Sequence, residues 1–148
     1  MPLSDKISVI TQAYVDLLRD HWEELGLAGP EDVYYGDQAR YPRTPSIAVF
    51  NSSLERQLSQ TGMQARVPVS TWIMIFHMPL KDASAAQKET DEYAEKVEQI
   101  LHSDRKLGGL LIHSHVARNE PGAAERGGTL LRATRLSVSG LSQTRIGG

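Results

Sequence analysis

From Asp5 to Leu25 apolar residues recur at helical spacing, at Ile7, Ile10, Tyr14, Leu17, Leu18 and Leu25, while Asp16, Arg19, Asp20, Glu23 and Glu24 fall on other faces. The spacing predicts an amphipathic first helix whose apolar stripe faces a sheet. Ser4 is placed to cap its start, and Gly26 followed by Gly29-Pro30 to end it. Val33-Tyr34-Tyr35 reads as a short strand. Gly36 to Pro45 is irregular, and Ser46 to Phe50 is extended again. Asn51 to Gln64 is polar apart from Leu54 and Leu58 and predicts a long exposed loop.

Arg66 to Met78 alternates at first, but Trp72-Ile73-Met74-Ile75-Phe76 is apolar on both faces, the pattern of a central strand. Pro68 lacks a donor, which puts the first half of that strand at an edge or bulge. Ser84-Ala85-Ala86-Gln87 has capping-box spacing, and Tyr93, Val97, Ile100 and Leu101 make the stripe of a second helix, with Glu92 and Lys96 as a surface pair. Gly108-Gly109 ends it. Leu110 to Val116 then predicts a strand with Leu110, Ile112 and Val116 on one face. Asn119 to Gly128, with Pro121, Gly122, Gly127 and Gly128, predicts a loop, and Leu130 to Leu141 a last strand with Leu136 and Val138 inward. The order α-β-β-β-α-β-β predicts an α+β fold: a mostly antiparallel sheet of about five strands with two main helices, in one domain over residues 1–148.

Composition narrows the chemistry. A chain of 148 residues fits one domain with a substantial core. A net charge of −2 gives no overall attraction to nucleic acid or anionic membrane. With no cysteine, disulfides, thiolate metal sites and a cysteine nucleophile are excluded. No window approaches the ~20 apolar residues of a membrane span, and the first residues lack the apolar core of a secretion signal, so neither a secreted nor a membrane protein is expected. Charge separates by element: residues 1–35 hold seven acids and two bases, residues 82–106 seven and four, and residues 117–148 two acids and five bases. Such runs ordinarily mark solvated faces; the alternative is complementary faces meeting between identical subunits in a head-to-tail ring.

Two constellations invite a chemical reading. His113 and His115 stand two apart on a strand, so their rings share a face, and Gly108-x4-His113-x-His115-x4-Glu120-x6-Gly127 resembles the first metal motif of cupins, one residue short before the first histidine. A cupin-like metal-dependent enzyme would use His113, His115 and Glu120. It also needs a third histidine from a later motif; none follows His115, and only 33 residues remain. Ser114 projects opposite to its histidine neighbours and cannot be activated by either. Phosphate-loop, dinucleotide, nucleophile-elbow and zinc-helix motifs are absent. Trp72, Phe76, Trp22 and Tyr14 are expected in the core. Arg40, Arg43, Arg56 and Arg66 come from the loop region and could meet phosphate, although exposed loops of mixed polarity are usually just solvated.

Three stretches resemble the tail terminator proteins of long-tailed bacteriophages, also called tail completion or minor tail proteins. They are Val33-Tyr34-Tyr35-Gly36-Asp37-Gln38 leading through Pro42 to Thr44-Pro45-Ser46-Ile47-Ala48-Val49; Glu89-Thr90-Asp91 with Ile100 to Asp104 and Leu107 to Ser114; and Glu120-Pro121-Gly122 before Leu131 to Leu136 and Leu141 to Thr144. None is a catalytic signature; the likeness lies in order and spacing over most of the chain. It implies a sheet flanked by helices and a structural virion protein without cofactor, metal or catalytic residue. Such a protein forms a ring, a hexamer, that caps the head-proximal end of the tail tube, stops tube growth and joins the tail to the head connector. The implied partners are the chain itself, the tail tube protein and the head-completion protein, with DNA passing through the lumen without sequence-specific binding. The implied location is the neck of the virion, and the host cytoplasm during assembly. Arg40, Arg43, Glu55, Arg56 and Arg66 are the expected ring or tube contacts. A non-viral interaction domain of the same shape is the remaining alternative.

Overall fold

The computed structural model describes residues 7–55, 64–80 and 86–145. In chain order these form α1 (Ile7–Asp20), a 3-10 turn (Pro30–Asp32), β1 (Val33–Tyr35), β2 (Ser46–Leu54), β3 (Gln64–Pro79), α2 (Gln87–Ser103), a second 3-10 turn (Leu107–Gly109), β4 (His113–Arg126) and β5 (Thr129–Arg145). The fold is α+β. One five-stranded sheet has the order β1-β2-β3-β5-β4, and only the β1–β2 pair is parallel.

Both helices lie on one face of this sheet. Ile10, Tyr14, Val15 and Leu18 from α1 and Ala94, Val97, Ile100 and Leu101 from α2 are buried with Ile47, Val49, Ile73, Ile75, Leu136 and Val138 from the strands. Helix α1 is shorter than its apolar stripe. It gives way after Asp20 to a turn that ends in a Schellman motif: Leu27 N–H donates to the Trp22 carbonyl and Gly26 N–H to that of Glu23, with Gly26 at φ 63°. The turn still carries Leu25 and Leu27 into the core. Helix α2 is tied to it by Tyr93 Oη donating to the Leu25 carbonyl and Lys96 Nζ to that of Glu24. Lys96 therefore does not pair with Glu92, which lies 3.9 Å from Lys88 instead. The cap expected at Ser4 lies outside the described residues, and the capping box expected from Ser84 to Gln87 does not form: α2 has Ala86 at its N-cap, without a side-chain bond, and Gln87 is its first residue rather than its third.

The strands correct three expectations. Asn51 to Leu54 is not loop but the end of β2, and Gln64 already belongs to β3. Polarity misleads there because Ser52 Oγ lies between Thr11 of α1, at 2.7 Å, and Thr71 of β3, at 3.2 Å. Asn119 to Arg126 is strand as well. β4 is the edge of the sheet, where Pro121 need not donate to an outer neighbour, and the turn is reduced to Gly127-Gly128, both at positive φ, as a two-residue hairpin requires. Finally, β4 begins at His113 rather than Leu110. The preceding turn has Gly108 and Gly109 at positive φ, so Leu111 is buried and Ile112 exposed.

Pro68 sits as its chemistry demands. Its carbonyl accepts from Glu55 N–H on the side of β2, which ends at Leu54, so the missing donor falls where the neighbouring strand runs out.

Among the described residues the second face of the sheet is only half covered. Residues 36–45 fold over the end near Ser46 and Leu131, where Tyr41 stacks on Phe76 at 4.3 Å and closes a small cluster with Ala48, Leu131 and Ala133. Farther along, Phe50, Trp72 and Met74 remain half-exposed. Trp72 is thus not in the core, although Tyr14 and Phe76 are fully buried and Trp22 partly so.

Candidate functional site

The charged residues expected to act together are parted by the sheet. Arg40 and Arg43 stand before β2, at one end; Glu55 and Arg66 stand at the other, past Leu54. The nine residues of β2 between them span roughly 30 Å. Arg56 lies outside the described residues.

Arg43 is anchored. Its Nη2 lies 2.9 Å from Oδ1 of Asp32 and 3.2 Å from Oε1 of Glu31, and the Asp32 side chain is fully buried. The hydrogen bond to Asp32 is the main reason that the guanidinium holds its proton even above the usual arginine range. This arginine fastens residues 36–45 to the 3-10 turn before β1.

A second clamp closes the same segment on the β4–β5 hairpin. Arg126 makes two bonds to the Asp37 carboxylate, Nη2 to Oδ2 at 2.7 Å and Nε to Oδ1 at 3.0 Å, while Tyr41 Oη donates to Oδ1 at 2.8 Å. Burial would raise the Asp37 carboxyl, but these bonds outweigh it and hold it below the ordinary range. Arg126 also lies over the Phe76 ring, 5.2 Å from its centroid. Gly127 approaches so closely that a Cβ there would sit 2.7 Å from Arg40 Cβ. Arg40, Arg43 and Arg126 line a cleft of about 390 Å3 beside Tyr41 and Thr129. Two of those three guanidinium groups are already matched by carboxylates, so the cleft is close to neutral.

His113 and His115 share the open face of β4, with ring centroids 5.3 Å apart, and both are exposed. Glu120 does not join them. It pairs opposite Arg135 on β5, whereas His115 pairs opposite Ser139, four residues away and therefore roughly 13 Å along the strand. Its carboxylate is 3.1 Å from Arg135 Nη2. Ligands of one ion must each come within about 2 Å of it, which this spacing forbids. Among the described residues no three His, Asp or Glu side chains are grouped to hold a metal ion. Ser114 points to the opposite face, where it is buried and donates to the Arg105 carbonyl at 2.8 Å, away from both histidines.

The feature least expected is the bare half of the sheet. At its centre Phe50 meets Trp72 edge to face at 6.0 Å, and the Arg135 guanidinium lies over the indole, 4.3 Å from its centroid. Glu120 steadies Arg135 from the other side. The chain matches no protein-family model and no curated protein sequence. The surface itself therefore has to be read. Trp, Phe, Met and Arg are the residue types enriched at the centres of protein interfaces, and this centre holds all four; the cleft beside them, lined by Met74, Glu120 and Arg135, measures about 190 Å3. The sequence signal was the double-sided apolar run Trp72 to Phe76; what was not visible is that the cover stops at Phe76.

Proposed function

We propose that this chain is a tail terminator of a long-tailed bacteriophage: a structural virion protein, not an enzyme, that forms a hexameric ring on the head-proximal end of the tail tube. One face of the ring meets the tube, ending its polymerisation, and the other meets the head-completion protein. DNA passes through the lumen without base-specific contact.

The observation that carries the reading is the half-covered sheet. A strand apolar on both faces calls for cover on both, and among the described residues half of the second face has none. The three stretches that resemble tail terminators occupy the framework of the fold: β1 through β2, α2 through the start of β4, and the β4–β5 hairpin. A metal-dependent enzyme draws no comparable support, since Glu120 is engaged by Arg135 far from the histidine pair.

Electron microscopy of phage made without this protein tests the proposal. Overlong or headless tails are expected, with normal length restored by supplying the protein in trans. Particles of normal length and morphology would overturn it.

A further inference from the structure

We infer that the bare half of the sheet is the surface by which one copy of the chain grips the next, and that it takes the acidic helical layer of that neighbour. The inference rests on the ring reading and adds which two surfaces meet.

The bare half has a defined chemistry. Around Phe50, Trp72 and Met74 stand Arg66, Arg118 and the His113–His115 pair, all four exposed; Glu120 is engaged by Arg135, and the exposed Glu55 stands at the Arg66 end. The surface is apolar at its centre and on balance basic around it. The helices on the far side of the sheet present on balance the opposite charge: Asp16 and Asp20 are exposed on α1, and Glu89, Glu92 and Glu95 on α2 outnumber the exposed Lys88 and Lys96. Between α2 and the turn after α1 lies an open recess of about 430 Å3, lined by His21, Glu24, Lys96, Gln99, Ile100 and Ser103.

Charge selects between the two ways copies can meet. Bare face against bare face would set Arg66 and Arg118 against a basic surface like their own, and like charges brought together at an interface repel. Bare face against helical layer puts arginine opposite carboxylate. That contact is heterologous: each subunit uses one surface forward and a different one behind, which closes into a ring when the rotation between subunits divides the circle.

Size points the same way. The bare half extends across β2 to β4, roughly 15 Å, and along about 30 Å of strand, or roughly 450 Å2, against about 800 Å2 per partner in a standard stable complex. One such contact makes a weak dimer. A closed ring gives every subunit two, so that assembly is cooperative and depends steeply on concentration.

The test is a charge exchange read by sedimentation of the full chain. R66E/R118E makes the bare face acidic, and E92K/E95K makes the helical layer basic. Each variant alone is expected to need about tenfold more protein to assemble. An equimolar mixture is expected to recover wild-type assembly, because alternating the two variants restores opposite charges at every contact; that recovery also establishes that both are folded. Assembly of R66E/R118E at the wild-type concentration, a mixture no better than either variant alone, or a wild-type chain that is monomeric at all concentrations would overturn the inference. Since the ring-cap reading is judged separately by tail length in virions, a closed wild-type ring indifferent to these substitutions sinks only the choice of surfaces.

Discussion

The backbone N–H of Val116 donates to Nε2 of His102 at 3.1 Å, so the side chain of a helix takes up an amide of the edge strand. The bond falls where β4 bulges between Val116 and Arg118. Two further bonds run alongside it, Asn119 Nδ2 to Glu98 Oε2 at 3.0 Å and Ser114 Oγ to the Arg105 carbonyl at 2.8 Å. Together they clasp α2 to β4.

That clasp needs a neutral His102, because an imidazolium has no lone pair to accept with. Burial first, then Arg105 and His115, lower its pKa against the opposing pull of Glu98. A histidine lowered in the folded state contributes stability that is complete above its unfolded value, near 6.5, and that is lost as pH falls. The protection factor of the Val116 amide, measured by hydrogen exchange, should therefore drop on acidification below about pH 6.5. In His102→Ala it should be low throughout. An acid-insensitive protection factor in the wild type would contradict the clasp.

His77 should dominate the acid limb of stability. It is buried, its Nε2 lies 2.8 Å from Thr134 Oγ1, and its ring meets Tyr93 edge to face at 5.7 Å. Burial, reinforced by the charge of Arg132, pushes its pKa down to about 4. The unfolded chain binds this proton near pH 6.5 while the folded chain refuses it, so stability falls as pH drops through that window. The loss amounts to roughly 1.4 kcal/mol per pH unit, about 3 kcal/mol in all. Urea unfolding at pH 7 and pH 4.5 measures it. His77→Gln, lacking the proton, should have a flatter pH dependence, and an unchanged slope would show that other groups carry the effect.

Arg43 should behave as a structural residue. Its removal leaves the fully buried Asp32 carboxylate without its cation, and Asp32 Oδ2 already has no hydrogen-bond partner. Removing one partner of a pair whose other member is buried leaves that charge uncompensated, so Arg43→Met is expected to destabilise the fold by more than an ordinary surface change. Adding Asp32→Asn should recover part of that loss. A destabilisation below about 0.5 kcal/mol, the range of an ordinary surface change, would mean that the pair is idle.

The sequence made the helices and the centre of the sheet legible because long runs of one period leave little choice: the stripes from Ile10 to Leu18 and from Tyr93 to Leu101 face the core, and the run Trp72 to Phe76 is a central strand, although of its residues only Ile73, Ile75 and Phe76 are buried. It misled where a residue's usual setting differed from its actual one. Ser52 is polar yet lies beneath a helix among hydroxyl partners, and Pro121-Gly122 signals a turn but is harmless on an edge strand. The candidate site was harder still. Arg43 and Asp32, or Arg126 and Asp37, find each other only after folding, so a reading residue by residue takes structural arginines for free contacts. Nothing in the spacing of His102 and Val116 announces that one caps the other.

The placement of β5 between β3 and β4 has a consequence for synthesis on the ribosome. β5 is the last of the five described strands to emerge, yet it bridges the sheet, pairing with β3 from Gln64↔Arg145 to Pro79↔Leu131 and with β4 along nearly its whole length. Until it is out, β3 lacks one neighbour and β4 has none in the sheet. The nascent chain must therefore hold β4 unjoined beside a β1-β2-β3 sheet with an open edge, and one interrupted before β5 exposes raw edges of the kind that aggregate. For the ring proposed above, this order of emergence would act as a proofreading step: truncated chains lack the finished sheet that the proposed contact uses.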